Sequence, residues 1–409
     1  MGPPTCITSG PMNTNVDRGG TTPNSPKKIC LVTEALGAGG AERVMSLLAS
    51  RWVAAGWQVS ICTFDRPQDP VYHALDERVS LLRLGRAEDA ARWRPLDLGR
   101  RIARLRAVLR RERPHVTLSF LTKINAQTLL ATLGTDLKVV ACERNNPARQ
   151  SAHRLWNFLL GLLLARADAF VLQTSRALQQ APRSARARAL VIPNPIAKPD
   201  VVVFDVRTRP LRLVAVGRLT PQKGFDLLID AFARVAARQS DWVLDIWGEG
   251  AERDRLQAMI DTAGLTNRVT LCGTSPEQGS WAQNAAAFVL ASRWEGFPNA
   301  LGEAMACGLP VVAFDCAFGP REIIQNHYDG MLVEHENVAA LARALDRVMS
   351  DEALRHTLGQ NACRSARRFA PEHVARQWDE LVRRMTTPCP ARGSMPVEHV
   401  RRADRASRR

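Results

Sequence analysis

Two carboxylates and two cations hold most of the chemistry in this 409-residue chain. In Ser292-Arg293-Trp294-Glu295-Gly296-Phe297-Pro298-Asn299-Ala300-Leu301-Gly302-Glu303-Ala304 an apolar run ends at Ser292, a loop carries Glu295, and a helix is expected from about Ala300. That spacing puts Glu303 in the first turn of the helix and hangs Glu295 over its N-terminus. Carboxylates accept hydrogen bonds from vicinal hydroxyls, so sugars are the natural ligands: Glu303 for a ribose, Glu295 for a hexose. A helix-dipole carboxylate without a ligand is the plainer alternative for either residue alone. Upstream, Val216-Gly217-Arg218-Leu219-Thr220-Pro221-Gln222-Lys223-Gly224 joins another apolar run to a helix. Arg218 and Lys223, a fork and a point charge five residues apart, suit a diphosphate and would neutralise it as a leaving group. Gly37-Ala38-Gly39-Gly40 forms a third such junction, whose open N–H groups also suit a phosphate. A nicotinamide cofactor is disfavoured there: Asp65 mimics its ribose acid, but Glu42 stands where the fingerprint wants a third glycine.

The elements that position these junctions read as alternating strands and helices. ICLVT (29–33) is a continuous apolar run of the kind buried on both faces of a parallel sheet. The helix 41–56 and the strand 57–64 complete a β-α-β unit. A basic helix near 98–111, strands at 115–121, 138–142, 169–174 and 189–195, and an apolar helix near 153–165 continue the pattern. It restarts after a link at 196–209, with strands at 211–217, 242–248, 268–273, 287–292 and 310–315 between helices. The expected class is α/β, with two doubly wound parallel-sheet domains, 27–195 and 196–370, facing a cleft. The helix 371–385 lies far enough along to return to the first domain, which residues 371–388 would complete. Residues 1–26 read as a disordered leader and 389–409 as a basic disordered tail.

Composition excludes other classes. Hydrophobic residues make up 45% and charged residues 23%, which rules out wholesale disorder and fibrous repeats. The longest apolar run, 155–165, is too short to span a bilayer, which takes roughly 18–20 residues. Nine cysteines without paired spacing argue against a zinc cage or a disulfide framework and fit a reducing cytoplasm. The net charge of +16 concentrates in Arg83–Arg113 and in the tail. Little aromatic residue interleaves those arginines, so an anionic membrane surface is expected in preference to nucleic acid. The helix 98–111, with arginines 100, 101, 104, 106, 110 and 111 alternating with Ile102, Leu105, Val108 and Leu109, is the expected contact.

Gly39-Gly40-Ala41-Glu42-Arg43-Val44, VGRLTPQKG (216–224), WGEG (247–250) and Glu295-x7-Glu303 together resemble the retaining nucleotide-sugar glycosyltransferases of family 4, with the GT-B fold of two Rossmann-like domains. The likeness covers about residues 28–388. Cys142-Glu143-Arg144-Asn145-Asn146-Pro147, Val191-Ile192-Pro193-Asn194-Pro195 and Gly319-Pro320-Arg321-Glu322-Ile323-Ile324 are most similar to bacterial enzymes that extend lipid-linked or capsular glycans, N-acetylgalactosamine and hexose transferases among them. The resemblance implies a UDP-sugar donor and a glycan or polyprenyl-diphosphate-linked acceptor. It implies donor contacts from Gly39, Gly40, Gly217, Arg218, Lys223, Glu295, Gly296, Phe297, Asn299, Ala300, Leu301 and Glu303. Glu295, Arg218 and Lys223 would do the catalytic work by front-face substitution. A glycosidase-style pair of Glu295 and Glu303 is the competing scheme. No DxD metal motif occurs in a suitable loop, so the two cations are expected to replace a metal and no cofactor is expected. The family histidine is missing from Ala141-Cys142-Glu143-Arg144, so Glu143, Arg144 or Asn145 is expected in its place. A GT-B sugar-nucleotide epimerase and a non-catalytic sugar-nucleotide-binding protein are the alternatives. Attachment to the inner face of the cytoplasmic membrane is the expected location.

Overall fold

The computed structural model describes residues 26–37, 39–85, 95–144, 154–199, 209–275, 277 and 279–387. Asn145, the leader (save Pro26) and the 389–409 tail lie outside them.

The front lobe runs β1 (Lys28–Thr33), α1 (Gly40–Ala54), β2 (Gln58–Thr63), β3 (Ser80–Arg83), α2 (Pro95–Glu112), β4 (Val116–Phe120), α3 (Thr122–Ala131), β5 (Val139–Cys142), α4 (Arg154–Leu163), β6 (Ala169–Leu172), α5 (Ser175–Gln179), α6 (Arg183–Arg186) and β7 (Ala189–Val191). The rear lobe runs β8 (Arg212–Val216), α7 (Phe225–Ala236), β9 (Val243–Trp247), α8 (Arg253–Thr262), β10 (Val269–Gly273), β11 (Ala287–Leu290), α9 (Asn299–Ala306), β12 (Val311–Phe314), α10 (Pro320–Ile323), β13 (Met331–Val333), α11 (Val338–Ser350) and α12 (Glu352–Ala366). A last helix, α13 (Pro371–Thr386), follows.

Every strand pairing in both sheets is parallel. The front sheet has the order β3-β2-β1-β4-β5-β6-β7 and the rear sheet β10-β9-β8-β11-β12-β13. Alternation along β1 divides the front core: Ile29 and Leu31 pack with Val44, Leu48 and Trp52 of α1, whereas Cys30 and Val32 pack with Leu105 and Leu109 of α2. Val374, Trp378, Leu381 and Val382 form one face of α13 and join the first of these clusters, so the last helix closes the front lobe. Two strands escape a reading of the sequence. β3 is a half-exposed edge strand of four residues and β13 has only three, too short for a run to register.

The chain crosses between lobes twice, and the crossings touch. Ile196 N donates to Phe369 O at 2.8 Å, and the Ile196 side chain packs into the rear core.

Strand order fixes where a ligand can sit. The order reverses between β1 and β4 in front and between β8 and β11 behind, and open parallel sheets bind ligands at such switch points, beyond the carboxyl ends of their strands. All three junctions singled out above emerge there: Gly39-Gly40 follows β1, Gly217 to Gly224 follows β8, and Ser292 to Pro298 follows β11.

Candidate active site in the interlobe cleft

The rear wall is made by the two loops that leave adjacent strands β8 and β11. Arg293 N donates to Gln222 O at 2.8 Å and Gln222 Nε2 to Trp294 O at 3.0 Å, zipping the loops together. The Arg293 guanidinium grips both oxygens of Asp226 at 2.9 and 2.7 Å, which holds that carboxyl below its ordinary range although burial works against this. Lys223 can then reach across. Its Nζ lies 2.6 Å from Glu295 Oε1, with the side chains only 18% and 7% exposed, and Ser292 Oγ donates to the same oxygen at 2.7 Å. Gly217 lets the lysine pass, because a Cβ there would stand 2.9 Å from Lys223 Cδ. Arg218 is exposed beside it.

Helix α9 begins at Asn299, behind Pro298, so Glu303 falls in its second turn and not its first as the spacing suggested. Its carboxylate nevertheless faces the cleft, where Arg43 Nη1 of the front lobe meets Glu303 Oε1 at 2.6 Å. Asn299 Oδ1 accepts from Asn194 Nδ2 at 2.8 Å, a second bond across the lobes. Gly40 abuts this pair: a Cβ on it would lie 2.7 Å from Asn299 Nδ2. The front glycine turn and the N-terminus of α9 are thus face to face. Gly296 and Ala300 line the same junction, and its first-turn N–H groups, at Asn299 and Ala300, are those a helix leaves unmatched. The side chains of Phe297 and Leu301 are core: Phe297 packs edge-on against Phe369 at 5.4 Å and Leu301 is fully buried. Any contact they make with a ligand is through backbone.

At the front turn, Glu42 does not point away. Its carboxyl folds back over Gly39, where burial raises it above the ordinary carboxylate range. His73, from the β2–β3 loop, lies beside the Gly39 backbone, and burial lowers its imidazole. The expected phosphate turn is therefore covered by two titratable side chains of its own lobe.

Glu143 and Arg144 end β5 and are buried, not presented to an open cleft. Thr122 Oγ1 donates to Glu143 Oε2 at 2.6 Å. The Arg144 guanidinium stacks over Phe120 and Trp378 at 5.5 and 5.0 Å, and burial lowers its pKa to about 10. Its Nη1 donates to Asn194 Oδ1 at 3.1 Å, and Gln173 Nε2 donates to the same oxygen at 2.7 Å. A polar chain therefore runs Arg144–Asn194–Asn299 from the buried front sheet to helix α9. Arg43 and Asn194 are the residues that sequence reasoning left without a role. Both stood inside quoted motifs, GGAER and VIPNP, and their partners lie 260 and 105 residues away.

Among the described residues no group of three His, Cys, Asp or Glu side chains converges as metal ligands.

Residues 39–195 match the family model described as a glycosyl transferase 4-like domain, and residues 202–365 match that described as glycosyl transferases group 1. An exopolysaccharide phosphotransferase of Streptomyces coelicolor is 31% identical over 398 residues, which span 91% of this chain but 42% of that protein. A Campylobacter jejuni enzyme, named as an α-1,4-N-acetyl-D-galactosaminyltransferase acting on a GalNAc-containing diNAcBac-PP-undecaprenol, is 26% identical over 87% of this chain and 98% of its own. Anabaena HepE, solved with UDP and glucose, superposes with a TM-score of 0.72 at 19% identity, covering 87% of this chain and 99% of that one, a likeness of fold. The chain thus spans under half the length of the Streptomyces relative and nearly all of the Campylobacter one. With one family model on each lobe and the switch points of both sheets facing a shared cleft, the chain belongs to the family 4 glycosyltransferases of GT-B fold.

Proposed function

We propose that the protein is a retaining glycosyltransferase that moves a hexose or N-acetylhexosamine from a UDP-sugar to a hydroxyl of a lipid-linked or polysaccharide glycan. One observation carries the reading: Lys223 and Glu295 touch at 2.6 Å on the rear wall while Glu303 faces Arg43 across the cleft. A cation and two carboxylates stand where a diphosphate, a hexose and a ribose would each need one. The ribose hydroxyls bind Glu303 in exchange for Arg43, and the donor hexose engages Glu295. As the bond to the anomeric carbon breaks, Lys223 and Arg218 take up the charge growing on the diphosphate, and the acceptor hydroxyl attacks from the same face, giving its proton to the departing phosphate oxygen. The glycosidase scheme needs one carboxyl as a protonated acid and the other as a naked nucleophile. Glu295 bonded to Lys223 and Ser292, and Glu303 bonded to Arg43, favour the front-face route.

These cations do the work that a divalent ion does at other diphosphate sites, so we expect transfer to persist in EDTA. The net charge and the lipid-linked acceptor of the Campylobacter relative support a peripheral position on an anionic membrane, with the acceptor supplied from the lipid. Among the described residues no helix is long and apolar enough to cross a membrane.

The test is a donor screen with and without a polyprenyl-diphosphate-linked glycan, reading both nucleotide products and the anomer formed. Acceptor-dependent UDP release with the donor's anomeric configuration retained is the expected result. Acceptor-free conversion of donor would make the protein an epimerase, and binding without turnover a non-catalytic binder. Release of a nucleoside monophosphate would mean sugar-phosphate transfer, an outcome to be watched for because the Streptomyces relative is named as an exopolysaccharide phosphotransferase.

A further inference from the structure

Helix α4 keeps two large apolar side chains in water. Phe158 is 65% exposed and Leu162, one turn on, 60%. The opposite face already holds the helix in place, with Trp156 and Leu160 buried against Ala126 and Leu129 of α3. A surface helix is expected to turn polar residues outward, yet from 155 to 165 this segment has no charged side chain. Phe158 and Leu162 therefore contribute nothing to the core that would account for them.

The surroundings are cationic. Ser184 Oγ donates to Gly161 O at 2.7 Å and so fastens α6 beside α4. Around this contact Arg166, Arg183, Arg186 and Arg188 are all exposed. Arg186 and Arg188 donate to backbone carbonyls of Gln179, Ala181, Ala165 and Ser184, which anchors their guanidinium groups without cancelling their charge. The one acid between residues 155 and 199 is Asp168, whose carboxylate is bonded to Val139 N. Helix α2, the expected membrane contact, is differently committed. Leu105 and Leu109 are fully buried, Arg101 pairs with Glu34 and lies over Phe64 at 4.1 Å, and Arg106 donates to Ala131 O and Leu133 O.

We propose that α4 and α6 form the docking surface for an anionic bilayer, with Phe158 and Leu162 entering the boundary between headgroups and acyl chains and the arginines meeting lipid phosphates. The inference rests on the reading of a lipid-linked acceptor and names the surface that brings the enzyme to it. Helix α4 belongs to the front lobe, whose Gly39-Gly40 turn faces the N-terminus of α9 across the cleft, so docking there holds the front wall of the site at the membrane.

The experiment is sedimentation of the full chain with phosphatidylglycerol-containing vesicles and with pure phosphatidylcholine vesicles. The parent should bind the anionic vesicles and release as salt rises. Phe158→Gln/Leu162→Gln should weaken binding by at least about tenfold, the scale of withdrawing two large apolar side chains from the interface. Arg166→Gln/Arg183→Gln should weaken it and flatten the salt dependence, and Arg110→Gln/Arg111→Gln on α2 should leave it unchanged. Equal binding to phosphatidylcholine, parent-like binding by the α4 variant, or loss in the α2 variant instead would each overturn the proposal. So would a shift from dimer to monomer in the α4 variant with vesicle binding intact, which would make a second copy the occupant. Turnover of a water-soluble acceptor, measured alongside, should be unaffected in the α4 variant and shows that it is folded. Vesicle binding without any transfer would sink the enzymatic reading and leave the docking surface standing.

Discussion

Replacing Lys223 by Ala should cost both stability and turnover, and the two losses can be separated. The ammonium sits 2.6 Å from Glu295 Oε1 in a site where the side chains are 18% and 7% exposed. Stranding one member of a buried ion pair costs about 3–5 kcal/mol. Ser292 Oγ donates to Glu295 in parent and variant alike and keeps the carboxylate partly satisfied, so the expected loss is at the lower end of that range, about 3 kcal/mol. For a lobe of this size that lowers Tm by roughly 5–10 °C. Turnover should fall by about 10²–10³, the usual effect of removing one preorganised charge at a developing anion. In Lys223→Ala/Glu295→Gln no buried charge is stranded and the amide can still accept from Ser292, so most of the stability returns and none of the turnover does. Thermal melts and donor kinetics on the parent, both single variants and the double variant form the cycle. A double variant as unstable as Lys223→Ala would refute the buried-charge argument. One that regains transfer would refute the role of Lys223 in catalysis.

Three further outcomes follow from the cleft. Arg43→Ala removes the front partner of Glu303, so the free protein should open, seen as a larger radius of gyration by X-ray scattering; an unchanged radius would show that the pair does not hold the lobes. Asn194→Ala leaves Arg144 and Gln173 without their shared acceptor and should cost about 1–3 kcal/mol in denaturant unfolding; an unfolding midpoint equal to the parent's would show that this acceptor adds nothing to stability. Glu42, held above its ordinary range by burial, binds its proton more tightly folded than unfolded. Its contribution to stability is therefore full below the unfolded value, about 4.3, and is lost as pH rises through the folded value. Glu42→Gln should match the parent's Tm near pH 4 and exceed it at pH 7, and an equal gap at both would contradict the assignment.

Local pattern determined much of this protein. The continuous apolar runs of β1 and β8, the glycine-bearing junctions after them and the helix after Pro298 were legible because each is written in consecutive residues, and parallel strands buried on both faces need such runs. Glu295, Glu303, Arg218 and Lys223 stand out as candidates for the same reason, as chemistry placed at strand-to-helix junctions. What joins them was not legible. β9 and β10 lie to one side of β8, so β11 becomes its neighbour, and only that strand order puts Lys223 against Glu295 across 72 residues. The approach of the lobes likewise pairs Arg43 with Glu303 and carries Asn194 to Asn299. The edge strands β3 and β13 were too short to announce themselves. An all-apolar helix reads as a buried one, so only the packing of Trp156 and Leu160 could reveal that Phe158 and Leu162 are left outside. The apolar stripe of helix α2 is the converse: its alternating arginines and leucines read as a membrane face, but Leu105 and Leu109 pack under the sheet.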